Sequence, residues 1–187
     1  MRDEHLALFI ALGQTADRVL RDLPETVPPM SLSISSSIDL ATVIPEAVKH
    51  AAAAAEGYKL FYVLENYLRE LVVDVLSKED AEHWWDKVPK DVQDDVAKLE
   101  ETEEAKQWMA LGSRDKSALM TYPQLLRVMD HCWKVGFEDL LRDKTLLQQS
   151  RAIGHLRNTL CHMTEISGEE MERIRQTMRD WFRVVAP

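Results

Sequence analysis

The six residues Arg157-Asn158-Thr159-Leu160-Cys161-His162 place a fixed cation, an amide and an imidazole within two turns of any helix that carries them. A guanidinium holds a phosphate by a two-pronged contact and stabilises the extra negative charge of its transition state. An imidazole is the side chain suited to moving a proton near neutral pH. Together they make a set for cutting RNA without a metal or cofactor. The 2′-hydroxyl of a flexible single strand would attack the adjacent phosphate. His162 would serve as general base or acid on that hydroxyl or on the leaving oxygen. Arg157 would hold the phosphate, and Asn158 would position His162 or the phosphate through its amide. The products would be a 2′,3′-cyclic phosphate and a 5′-hydroxyl. Nothing in the sequence makes Cys161 a thiol nucleophile; burial beside a core stripe is its expected place.

The helix holding these residues is expected over Leu146 to Met163. On a helical wheel Ile153, Leu156, Leu160 and Met163 form a core stripe. Arg151, His155, Asn158 and His162, spaced four, three and four apart, line the opposite side. Arg157 falls on the boundary, about 140° around the helix from His162. Two geometries bring the pair together: the helix ends near His162 and the side chains reach around, or two copies face each other across a symmetry axis. The plain structural alternative is that Arg157 pairs with an acid, His162 caps a helix end and His155 lies on the surface or at a dimer contact.

Other elements must position this helix. A first helix is expected over His5 to Leu23, closed by Pro24, Pro28 and Pro29 and the serine-rich stretch from Ser31 to Ser37. Pro45 opens the next helix, and Gly57 marks either a break in it or a close contact. Phe61, Leu64, Leu68, Leu71 and Val75 recur at helical spacing as far as Leu76. Ser77 is read as capping a short helix with Trp84 and Trp85, of which at most one points fully inward. Pro89 to Ala110 reads as an outer acidic helix, broken at Gly112-Ser113. Pro123 starts a helix with Leu125, Leu126, Val128, Met129 and Trp133, and Phe137, Leu140 and Leu141 continue the buried pattern. Ser167-Gly168-Glu169-Glu170 is a capping box for a last helix bearing Met171, Ile174, Met178, Trp181 and Phe182. Trp133 and Trp181 are expected in the core. There is no strand signal, so the expected fold is all-α, with residues 1–50 as an N-terminal extension and linker and residues 51–187 as the helical domain.

Composition agrees. The chain has 187 residues, 45% of them hydrophobic and 29% charged, with only six glycines, which suits one helical domain with its own core plus an extension. Two cysteines cannot form a disulfide framework and favour a reduced, cytoplasmic setting. The apolar run from Leu6 to Leu12 is too short for a membrane span and follows acidic residues. The net charge of −9 opposes indiscriminate nucleic-acid binding. From Ser77 to Lys106 there are eleven acidic residues against five lysines, whereas Leu141 to Arg183 has eight basic residues against six acidic. Only around the motif does the balance turn basic. No histidine pair with carboxylate support marks a metal, no glycine-rich loop marks a phosphate cradle, and no internal repeat is present.

In its order of elements the chain resembles the HEPN superfamily, whose members carry an Arg, four to six residues and a His late in a helical bundle. A polar residue follows the Arg in its active ribonucleases, as Asn158 does here. The likeness is nearest to the subtype at the C-terminus of the nuclear-pore-linked RNA-surveillance endonuclease and its prokaryotic relatives. There an early helix holds a Glu followed by Leu-Arg, matched by Glu65, Leu68 and Arg69. A middle helix holds a Tyr, a Trp and a Phe, matched by Tyr122, Trp133 and Phe137. The resemblance spans roughly residues 55–183. It implies a dimer with a composite cleft, formed through the motif helix, and a role as toxin, anti-phage effector or RNA-surveillance nuclease. RNA is the implied partner, with a cognate antitoxin or regulatory protein as a further one. Glu65 either forms a modest intrahelical pair with Arg69 or, as the resemblance implies, orients Arg157. Some HEPN toxins are silenced through a Tyr two positions after the His; Thr164 stands there in this chain. The competing reading is a non-catalytic HEPN module for dimerisation or for binding a nucleotide or partner.

Overall fold

A computed structural model describes residues 31–105 and 115–185. The first helix expected over His5 to Leu23, the three following prolines and the Gly112-Ser113 break lie outside these residues. Backbone contacts divide the chain into two compact units, Met1–Ala52 and Ala53–Pro187.

In the first unit, Ser33–Ser35 (β1) pairs antiparallel with Ile38–Asp39 (β2), and a four-residue helix, Leu40–Val43 (α1), follows. The serine-rich stretch, read from sequence as linker, is therefore a small hairpin. Asp39 closes it. Its carboxylate accepts the backbone N–H of Leu32 at 3.1 Å and caps α1 by accepting that of Ala41 at 2.9 Å. Five serines in seven residues hide such a strand, because they leave only Leu32 and Ile34 as a short apolar alternation.

From Pro45 on, the described residues form helices joined by turns. Pro45–Ser77 (α2) starts at the expected proline, runs 33 residues and passes through Gly57 unbroken. Lys90–Glu104 (α3), Lys116–Leu119 (α4), Tyr122–His131 (α5), Phe137–Leu141 (α6), Thr145–Cys161 (α7) and Gly168–Val185 (α8) follow. One face of α2 puts Phe61, Leu64, Leu68, Val72 and Leu76 into the core, with Leu71 and Val75 half-buried beside it. That spacing of three and four keeps a single stripe facing inward, and each side chain so buried contributes about 1.5–3 kcal/mol.

Two local readings are corrected. Ser77 is the last residue of α2 and caps nothing after it. The 3₁₀ turn Trp84–Lys87 is prepared instead by Asp80, whose Oδ1 accepts the N–H groups of Glu82 and His83 at 3.1 Å. Lys87 folds back to donate to the Leu76 carbonyl at 2.9 Å, satisfying one acceptor at the end of α2. Trp133 is half-buried rather than fully internal, with the Lys144 ammonium 5.3 Å from its ring centre, whereas Trp181 is fully enclosed. Trp84 and Trp85 are both half-buried.

α5 begins as its sequence indicates. Pro123 lies in the first turn, and Gln124 Oε1 accepts the Thr121 N–H at 2.8 Å. α8 starts with half of its expected capping box, the Glu170 N–H donating to Ser167 Oγ at 3.3 Å.

Candidate active site

Helix α7 carries the Arg157–His162 stretch and is fixed from three sides. Tyr122 on α5 donates its hydroxyl to the Ser150 carbonyl at 2.9 Å, and Trp181 on α8 donates its indole N–H to Ser150 Oγ at 2.7 Å. Ser150 is fully buried, so these bonds set the rotation of α7 against both neighbours. Burial pushes the Tyr122 phenol well above its ordinary range and keeps it a neutral donor. On the third side Gly57 of α2 meets Leu160. A β-carbon at Gly57 would stand 2.8 Å from Leu160 Cδ1, so glycine permits the close crossing.

The C-terminus of α7 is a Schellman turn. Thr164 N–H donates to Thr159 O at 3.2 Å, and Met163 N–H to Leu160 O at 3.0 Å. His162 is the C-cap, and Met163 takes the left-handed conformation at φ 58° where glycine is usual. Met163 therefore leaves the core stripe assigned to it and is 90% exposed. Ile153 and Leu160 are buried as expected, and Leu156 is half-buried.

Arg157 reaches from α7 toward α2. A cleft of about 220 Å³ is lined by Tyr58, Phe61, Tyr62, Glu65, Asn66, Arg69, Arg157, Leu160 and Cys161. Glu65 bridges two cations within it: Oε1 lies 3.0 Å from Arg69 Nη2, and Oε2 lies 3.5 Å from Arg157 Nη2. One carboxylate thus contacts both arginines. Arg69 is committed elsewhere too, donating to Ser117 O at 2.8 Å, Met120 O at 3.1 Å and Asn66 Oδ1 at 2.6 Å. Arg157 differs. Its side chain keeps 28% of its surface exposed, and among the described residues its polar partner is Glu65, at the limit of hydrogen-bond range. Most of its five N–H donors therefore face the cleft or solvent.

The remaining residues of the polar stripe do not join this cleft. Arg151 pairs with Asp130 at 2.7 Å, as does Lys144. Those two cations hold the Asp130 carboxyl below its ordinary range. His155, Asn158 and His162 are exposed, and none lines the cleft. Cys161 is exposed and borders the cleft, a correction to its expected burial, whereas Cys132 is the buried thiol. Burial pushes that thiol above its ordinary value. Sequence reasoning missed Ser150, Tyr58, Tyr62 and Asn66. A serine inside an apolar helix face was the available signal for the first, and two tyrosines one turn apart for the next pair.

Among the described residues no group of three or more His, Cys, Asp or Glu side chains is placed to hold a metal, and no helix is long and apolar enough to cross a membrane. No curated protein and no solved structure matches the chain. A family model described as Swt1-like HEPN matches residues 59–186. The match takes in the α2 carboxylate–arginine pair, the Tyr122 helix and the whole Arg157–His162 stretch, and the chain belongs to the Swt1-like HEPN family.

Proposed function

We propose that the protein is a metal-independent endoribonuclease cutting single-stranded RNA through attack of the 2′-hydroxyl on the adjacent phosphate. The observation that carries this reading is Arg157: a guanidinium steered by Glu65, half-enclosed in a cleft, with most of its donors uncommitted. A cation held in that way is organised for an anion that is added later. Arg157 takes the scissile phosphate, His162 transfers the proton, and Asn158 orients one or the other. Because His162 does not line the cleft of its own chain, the reading includes a two-fold dimer in which α7 faces its equivalent. Arg157 of one copy then works with His162 of the other. HEPN membership is in keeping with work on RNA as a toxin, an anti-phage effector or a surveillance nuclease in the cytoplasm, with an antitoxin or regulatory protein as second partner. Residues 1–50 are assigned a docking or dimer-extending role separable from cleavage.

The test is incubation of the purified protein, and of His162→Ala, with total cellular RNA. Wild type is expected to leave 2′,3′-cyclic phosphate ends and the variant to leave none. Equal degradation by both, or by neither even on expression in cells, transfers the assignment to a non-catalytic HEPN module for dimerisation or for binding a nucleotide or partner. That module is favoured by the pairing of Arg157 with Glu65, by His162 standing as an exposed helix C-cap and by the exposure of His155.

A further inference from the structure

The aromatic residues of α2 divide by environment. Phe61 packs edge-on against buried Tyr122, with ring centres 5.8 Å apart, and Tyr67 packs on Phe182 at 4.7 Å. Tyr58 and Tyr62 do neither. They contact each other at 6.3 Å, tilted by 34°, and are 63% and 61% exposed. Neither of these two large rings, one turn apart, belongs to the core cluster or to the hydrophobic residues packed against it. Both line the cleft that contains Arg157.

We infer that Tyr58 and Tyr62 form a stacking platform for a nucleobase attached to the phosphate that Arg157 holds, an inference that rests on the RNA-directed reading above. A π-face and a guanidinium lining one cleft match the base and the phosphate of a nucleotide, and stacking tolerates any base. Phe61 and Leu160 line the same cleft. At about 220 Å³ the cleft lies below the roughly 300–1,000 Å³ of pockets for drug-sized ligands, which suits one base rather than a docked helix. Asn66 lines the cleft as well, its Nδ2 donating to the Tyr62 backbone carbonyl at 2.7 Å while its Oδ1 accepts from Arg69.

The experiment measures binding of a labelled single-stranded RNA hexamer, and of the same hexamer with abasic riboses, to the full chain carrying His162→Ala so that the probe stays intact. Base-bearing RNA is expected to bind roughly 5- to 100-fold tighter than abasic RNA. Tyr58→Leu with Tyr62→Leu is expected to erase that preference, and Tyr58→Phe with Tyr62→Phe to keep it. Circular dichroism and light scattering check that fold and mass are unchanged. If wild type cuts RNA but the leucine pair keeps the preference, or changes only the mass, the platform is overturned and the nuclease stands. If wild type fails to cut RNA yet the leucine pair loses the preference, the platform stands as a nucleotide site and the nuclease reading falls. Equal binding of both hexamers, or of neither, overturns the platform outright.

Discussion

Glu65 and Arg157, 92 positions apart in sequence, meet between α2 and α7 with Glu65 Oε2 3.5 Å from Arg157 Nη2, while the other oxygen of the same carboxylate holds Arg69. Arg69 in turn is tied to the carbonyls of Ser117 and Met120. The chain of contacts anchors the carboxylate firmly and the Arg157 guanidinium loosely, which leaves most of its donors uncommitted.

Glu65→Gln is therefore expected to act through position. The glutamine keeps the volume but loses the charge that draws Arg157 into the cleft. RNA cleavage is expected to fall about 10- to 100-fold, the range a misplaced reacting group produces, with the loss in kcat rather than KM and no change in the shape of the pH profile. Unchanged kcat in this variant would show that Arg157 finds its place without Glu65.

Arg157→Ala is expected to lower cleavage by about 10²–10³, the cost of removing one preorganised donor to a developing anion. Arg157→Lys is expected to recover little, because an ammonium is a single point charge and cannot make the two-pronged contact. Chelator is expected to leave the wild-type rate unaltered, since the proposed mechanism draws both proton transfer and charge stabilisation from side chains. Full rescue by lysine would reduce Arg157 to a general positive charge.

How much of this arrangement was legible in the sequence varies by element. The Phe61-Leu64-Leu68 stripe and the prolines at 45 and 123 located helix starts and faces because periodicity and fixed φ are local properties. The Arg157–His162 set was legible as residue types, and the Glu65 contact only as one of two readings, since a salt bridge across 92 positions leaves no local trace. Met163 was misplaced because the helix period was continued past its end: no glycine announces the left-handed turn that puts it in water. Cys161 was read as buried beside Leu160, yet it turns to the exposed side of the helix end while Leu160 stays in the core. The hairpin at Ser33–Asp39 was missed because its few apolar side chains, Leu32, Ile34 and Ile38, are exposed, and Asp39 ties its end by accepting the Leu32 N–H.

Ser150→Ala is expected to destabilise the fold by about 1–3 kcal/mol, more than an ordinary serine deletion. The change removes the acceptor of the Trp181 indole N–H and leaves that buried donor without a partner. Tyr122→Phe removes a donor but leaves the Ser150 carbonyl its helical partner, so its cost is expected nearer 0.5–1.5 kcal/mol. Denaturant melts of the two variants check the order. A larger loss in Tyr122→Phe would mean that the phenol, not the indole, sets the rotation of α7.

Asp130 supplies a pH-dependent contribution away from the cleft. Hydrogen bonds from Lys144 and then Arg151 hold its folded value below the ordinary 3.8. A depressed folded value means the stabilisation is fully present above 3.8 and is lost as pH falls through the lower folded value. Asp130→Asn is expected to cost less than about 1 kcal/mol at pH 7, because the cluster is partly exposed and screened. The gap to wild type is expected to close below pH 3.8 and to narrow in 1 M salt. A gap that persists in acid would place the effect in packing instead of charge.

The last expectation separates the two ways of uniting Arg157 with His162. α7 ends at Cys161 and His162 is its C-cap, outside the residues that line the Arg157 cleft. If a second copy supplies the imidazole, light scattering gives a dimer at micromolar concentration, and two inactive variants complement each other. A heterodimer of Arg157→Ala with His162→Ala has one site lacking both groups and one site with both intact. An equal, fully exchanged mixture is half heterodimer, so it is expected to recover roughly a quarter of the wild-type rate under two-fold symmetry. If each chain instead joins its own Arg157 and His162 by reaching around the helix end, every site in the mixture lacks one group and no activity returns. A monomer in solution together with an inactive mixture would remove the composite site, and wild-type cleavage in the same assay would then assign both groups to one chain.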